Sequence, residues 1–361
     1  MTDESPLQAL ECGGALDEIN QVYYSRGWTD GLPIIPPTEG RVRAMLAVVD
    51  CDPAEVIAAI PPKWGQATVR KLAINAVMAG CLPTYFPVIL AAIAAMAEER
   101  FNLYSIQATT HVVAPLLIVN GPIVQTLDLN SGHNVFGQGW RANATIGRAI
   151  RLALLNIGGA TPGVLDRATF GHPGKYSYCI AENETRSPWE PFHVERGFPR
   201  DTSTVTVYGG EAPHNVNDHV STTAQNLLHT LAHSMATMGM NHSYCQGMCD
   251  VFVVFGPEHA ETIAREGWTK DDVRHFLYEN ARIPVGKLKL GGMWGMMAWP
   301  KALTTLDDRA LLPVVERAAD INIIVAGGAG KHSLFIPSFG ITRSVTRPIQ
   351  LAPQWQQALL G

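Results

Sequence analysis

The sequence predicts an α/β protein with a mixed or parallel sheet flanked by helices. Three observations carry this. The runs PLLIVNGP (115–122), VFVVFGP (251–257) and INIIVAGG (321–328) read as buried strands, broken at Gly121, Gly256 and Gly327. Segments of helical length and composition lie between them. The 33 glycines and 24 prolines cut the chain into many short elements rather than a few long ones. The three strand ends also suggest degenerate internal repeats, as three α/β units sharing one core. Unrepeated α/β proteins have such strand ends as well, so both origins stay open.

The elements follow in order. Residues 1–30 are an N-terminal extension, and 31–361 form a single α/β catalytic domain. WTDGLPIIPPT (28–38) is extended and stiffened by proline, and Thr38 is placed to cap the helix EGRVRAML. DPAEVIAAIPPKWG is a short helix or strand before a turn. ATVRKLAINAVMAG (67–80) and PTYFPVILAAIAAMAEE (83–99) are helical. YSIQATTHVVAPLLIVNGP (104–122) reads as extended throughout. RANATIGRAIRLALLNIGG (141–159) is a helix with glycines after its end. Residues 160–220 form an irregular excursion rich in Pro, Gly, His and acids, in which only KYSYCIAE and STVTVYGG look like strands. TTAQNLLHTLAHSMATM (222–238) and TKDDVRHFLYENARIP (269–284) are helices, the second capped by Thr269.

Composition narrows the function classes. The chain has 361 residues, 47% hydrophobic, with a formal net charge of -5. It shows no basic run, which argues against a nucleic-acid surface. FPVILAAIAAMA (86–97) is too short to span a bilayer and reads as a buried helix. The start, MTDESPLQALECGG, lacks the pattern of a signal peptide. Six cysteines in a chain of this length read as free thiols. A cytoplasmic protein is expected, with no membrane and no nucleic-acid partner.

The stretch IIVAGGAGKHSLF (323–335) resembles a phosphate loop at first sight. A P-loop would need a glycine where Val325 stands and Ser or Thr where His332 stands, so that reading fails. No GxGxxG follows a first strand either, so no nucleotide cofactor motif is present. What remains is an anion-binding or catalytic corner with Lys331 and His332, or a solvated turn. Arg343 and Arg347, four apart in a strand, would share a face and suit a carboxylate or phosphate, or else form structural ion pairs. Arg141 and Asn143, with Arg148, His133 and Thr145 nearby, can hold a small polar substrate at a helix start.

The richest cluster is HTLAHSMATMGMNHSYCQGMCD (229–250). His229 and His233 have i, i+4 spacing, and with His242 and Cys245 they could ligate zinc, iron or copper. Cys245, ahead of Cys249, could instead act as a nucleophile beside His242. Packing explains each of these residues equally well. The excursion adds Glu182, Glu184, His193, Glu211, His214, Asp218 and His219, none singled out by spacing. GGMWGMMAWP (291–300) is a candidate surface for a homo-oligomer, or core.

HVVAPLLIVNGP, GQGWRANATIGRA, GHPGKYSYCIAENE and FGPEHAETIAREGW resemble stretches of little-characterised bacterial proteins associated with the UGSC-motif (seleno)protein group. The resemblance covers most of the chain from about residue 28. It implies no assigned activity. The loop comparable to the motif reads GAGKHS here and has no cysteine, so no redox role carries over.

Together these features predict a hydrolase or lyase acting on a small carboxylate-bearing molecule by hydrolysis, elimination or hydration. Cys245, His242, Lys331 and His332 are its expected catalytic groups, and Arg141, Asn143, Arg343 and Arg347 its expected substrate ligands. A metalloenzyme using the His/Cys cluster, and a non-catalytic binding or assembly protein, are the alternatives.

Overall fold

The computed structural model describes residues 14–296 and 305–359. Strands β1 (Val56–Ile60) and β2 (Gly65–Thr68) form a small hairpin. The main framework uses β3 (Ala114–Asn120), β4 (Cys179–Ala181), β5 (Thr204–Gly210), β6 (His214–Asn217) and β7 (Val251–Phe255). After another small pair, β8 (Arg282–Pro284) with β9 (Leu311–Pro313), it is completed by β10 (Ile321–Val325), β11 (His332–Ile336) and β12 (Val345–Pro348).

These strands make two four-stranded sheets, ordered β4-β3-β5-β12 and β10-β7-β11-β6. Both sheets have the same logic. The first two strands are parallel, and every other neighbour is antiparallel. The third strand returns on the far side of the first. The fourth strands are exchanged. β6 follows β5 in sequence but pairs with β11, and β12 follows β11 but pairs with β5. The exchange occurs where Gly210 bridges Ser338, flanked by Glu211 N to Pro337 O at 2.9 Å and Phe339 N to Gly209 O at 3.1 Å. The repeat is therefore twofold. The three strand runs do not mark three units, because β7 and β10 are the parallel pair of one unit and β3 opens the other.

Strand alternation explains how the sheets stack. Leu117 and Val119 of β3, with Val205 and Val207 of β5, join a core built with helices Glu39–Leu46, Val69–Ala79, Phe86–Met96 and Arg141–Asn156. Val251, Val253 and Phe255 of β7, with Ile321, Ile323 and Val325 of β10, join a core with helices Ala224–Met235, Pro257–Ala264 and Lys270–Asn280. The opposite faces, including Leu116, Ile118, Tyr208, Phe252, Val254 and Ile324, meet each other in a third core. The result is four layers, helices, sheet, sheet and helices. Each large apolar side chain fully buried this way contributes roughly 1.5–3 kcal/mol.

The expected α/β class with a mixed sheet and flanking helices is what the chain adopts. Details differ. The excursion at 160–220 is not a detached irregular segment: it supplies β4, the central strand β5 and β6. The stretch read as extended from 104 starts with a short helix, Leu103–Gln107. Thr38 occupies its N-cap position without a side-chain bond, whereas Thr269 and Asp272 form a full capping box. Among the described residues no helix is long and apolar enough to cross a membrane, and the described cysteines are free. Residues 297–300 of the Met/Trp-rich segment lie outside the described residues. Met293 and Trp294 pack on the second helical core, and Met296 is exposed.

Candidate active site at the strand ends

In sheets with parallel strands, ligands gather beyond the carboxyl ends of those strands. Here the two parallel pairs end side by side. Asn183, just past β4, donates its N–H to Val325 O at 2.7 Å, and Gly327 donates to Ser131 O at 2.8 Å. Two cavities flank this junction. One, of about 600 Å³, includes Gly121, Ser131, Glu182, Glu184 and Arg200 in its wall. The other, of about 750 Å³, includes His133, Asn215, Gly327–Gly330 and His332.

The first cavity is carboxylate-lined. Glu182 follows β4 directly and is 1% exposed. Its Oε2 accepts from Asn120 Nδ2 at 2.6 Å and from the Phe192 amide at 2.8 Å. Its Oε1, also buried, has no hydrogen-bond partner among the described residues. Burial raises the Glu182 pKa, and Lys270, the Phe192 amide and Asn120 offset this in part. Because both donors engage Oε2, a proton on this carboxyl group belongs on Oε1. Glu184 lies beside it and accepts from Gly121 N at 2.7 Å and Asn120 Nδ2 at 3.0 Å. His193 is fully buried. Its Nε2 contacts Arg200 O at 3.3 Å, so that nitrogen donates, and Nδ1 lies 3.6 Å from Glu184 Oε1.

The second cavity sets loop backbone and two imidazoles beside apolar side chains such as Val135, Phe136 and Leu334. The glycine loop crosses over the end of β7, where Gly256 N donates to His332 O at 3.2 Å. Gly330 N donates to Glu258 Oε1 at 2.9 Å. The amides of Gly328 and Ala329 have no acceptor among the described residues. His133 packs directly on Gly328, where any side chain would collide with its ring. His332 Nδ1 lies 3.1 Å from Asn215 Oδ1. Free amides beside two imidazoles suit an oxyanion.

The residues expected from the sequence do not converge. His332 lines the second cavity, and Lys331 reaches outside it to His219 O at 3.1 Å. Cys245 and His242 are buried away from both. Burial pushes the Cys245 thiol up to about 11, which disfavours a thiolate. Burial also lowers His242 to about 4, with Glu211 and the Met235 carbonyl opposing. Asn143 is buried and spends its amide on the backbone of Asn130 and Cys179. Arg141 is an exposed first-turn residue of its helix and lines neither cavity. Arg343 precedes β12 and pairs with Asp320 at 2.8 Å, while Arg347 pairs with Glu98 at 2.9 Å. The two arginines therefore serve separate structural ion pairs.

Among the described residues, no group of three or more His, Cys, Asp or Glu side chains is placed to hold a metal. His229 packs edge-on against Phe276, and His233 is exposed. The i, i+4 spacing of these histidines thus brings no third ligand with it. The carboxylates that do assemble had one legible signal, the Glu-x-Glu of CIAENE immediately after a strand. No family model matches the chain, and no curated protein matches it significantly.

Proposed function

We propose that the chain is an acid–base enzyme, a hydrolase or lyase, acting on a small carboxylate-bearing molecule at the junction of the two strand-end cavities. The observation that carries this is Glu182: a buried carboxyl group in a cavity wall, whose Oε2 takes two donors while the buried Oε1 has no partner among the described residues. Its raised pKa favours the protonated form. Oε1–H is then a general acid for a leaving hydroxyl or amine, and the deprotonated group a base in the reverse sense. The Gly328 and Ala329 amides, with His133 and His332, receive the substrate carboxylate.

The test uses the whole protein in D₂O with a panel of small hydroxy, unsaturated and amide-bearing carboxylic acids. Substrate loss and deuterium uptake are followed by NMR. Turnover by the native chain that falls by about 10²–10⁴-fold in Glu182→Gln, with an unchanged circular dichroism spectrum, supports the assignment. Equal turnover by the variant removes Glu182 from the chemistry, and an inert panel counts against the enzyme reading.

A further inference from the structure

A third cavity, of about 470 Å³, shares no lining residue with the strand-end pair. It lies between the Gly27–Asp30 turn, the later turns of helix Arg141–Asn156 and the 160–176 segment. Its wall holds the carboxylates Asp30 and Asp166 and the cations Arg151 and Lys175, and because Arg148 from outside the wall takes Asp30, one wall cation is left over. Asp166 is bound to Lys175 at 2.7 Å. Asp30 is gripped by both Nε and Nη2 of Arg148, at 2.8 and 2.9 Å. Among the described residues Arg151 has no carboxylate within ion-pair distance. Its Nε donates to Lys175 O at 2.7 Å, and Nη1 approaches Gln107 Oε1 at 3.5 Å. Nη2 has no partner among the described residues. Burial is the main influence on this guanidinium, ahead of Asp166 and Asp30. Arg151 is half-buried at the cavity wall, keeps its charge, and has no paired anion among the described residues. A bound anion would supply the missing partner. The rest of the wall is apolar in part: Leu155, the ring of Tyr176, and Phe170, which is 90% exposed at the surface.

We propose that this cavity binds a small monocarboxylate with an apolar body, its carboxylate on Arg151 and its body against Leu155, Phe170 and Tyr176. A planar carboxylate matches the guanidinium fork. An exposed aromatic ring beside an unpaired cation is a surface that an aromatic or branched acid would cover.

The probes are benzoate and inorganic phosphate, titrated calorimetrically into the full chain. Benzoate is expected to bind, and Arg151→Gln to weaken it by about 10–100-fold. The Glu182→Gln variant should bind benzoate as the native chain does, which separates this site from the proposed catalytic one. Should Arg151→Gln fail to fold, phenylglyoxal modification of the native chain gives the answer. Benzoate should protect Arg151, mapped by mass spectrometry, and leave exposed Arg41 and Arg43 reactive. Absence of benzoate binding, binding unchanged by Arg151→Gln, phosphate binding as tightly as benzoate, or labelling of Arg151 unaffected by benzoate would each overturn the proposal.

Discussion

The two halves of the molecule share one strand plan but line its ends differently: carboxylates face the cavity past β3 and β4, and among the described residues none lines the cavity past β7 and β10. Past β3 and β4 the chain buries carboxylates and spends backbone amides on them, as Gly121 N does on Glu184. Past β7 and β10 one loop amide, Gly330 N, goes to the carboxylate of Glu258, while the Gly328 and Ala329 amides have no acceptor among the described residues. The contrast extends to the segments that enter the first strands. His111 precedes β3, lies 5.2 Å from the Phe339 ring, and donates through Nε2 to Glu211 at 3.0 Å. His242 precedes β7, lies 5.3 Å from Phe335, and has no carboxylate within hydrogen-bond reach. A repeated framework therefore fixes where side chains go and not what they do.

The largest expected effect separates the two strand-end turns. Gly121 has φ +84°, and a Cβ there would stand 2.5 Å from Thr202 O. Gly330 has φ +139°, and a Cβ would meet nothing closer than 3.9 Å. Both substitutions carry backbone strain, but only the first adds a collision with fixed backbone. Gly121→Ala is expected to cost about 4 kcal/mol and Gly330→Ala about 2 kcal/mol, read by denaturant unfolding. Equal losses would show that the carboxylate end is no more rigidly built than the amide end.

Next comes acid stability, which tests the burial of His242. His242 is lowered from 6.5 to about 4 in the folded chain. The unfolded chain therefore binds a proton that the folded chain refuses between those values. Stability is lost as pH falls through that window, by about 3 kcal/mol in total. His242→Leu should remove this component, so the difference between the two stability curves shrinks toward pH 4. A parallel pair of curves would mean that His242 reaches water or a partner on acidification.

Glu182 gives the opposite slope. Its folded pKa is raised, so the folded chain holds a proton that the unfolded chain releases. That contribution is fully present below the unfolded glutamate range and is lost as pH rises through the folded value. Glu182→Gln should flatten the decline, as thermal melts across the pH range would reveal. A decline identical in the variant would place the titration elsewhere.

The comparison also explains what could be read from sequence. Strands β3, β7 and β10 announced themselves because each is buried on both faces and so is apolar at every position. β6 and β12 did not. HNVN and VTRP are short polar edge strands that find their sheets only through the exchange at Gly210 and Ser338, a tertiary event with no local signal. The site suffered similarly. His229 and His233 have a suggestive spacing, but spacing fixes only which helix face they share. Glu182 and Glu184 looked like two acids in a polar loop. Their importance comes from the short strand before them, which delivers both to a junction formed by segments up to 144 residues away, as in the Asn183 Nδ2 to Gly327 O bond.

The smallest expected effect concerns Cys245, the residue that sequence alone favoured as nucleophile. It is fully buried in the second half, with its Sγ against Gly340, where an added Cβ would approach to 2.8 Å. Burial keeps the thiol protonated at neutral pH. A buried protonated thiol behaves as a small apolar group. Cys245→Ala should therefore cost about 1 kcal/mol of stability and leave turnover unchanged, if Glu182 carries the chemistry. In the folded chain Cys245 should also react with iodoacetamide far more slowly than the partly exposed Cys51. Fast labelling of Cys245, together with lost turnover in Cys245→Ala, would move the reaction from the carboxylate end of the molecule to the segment that enters β7.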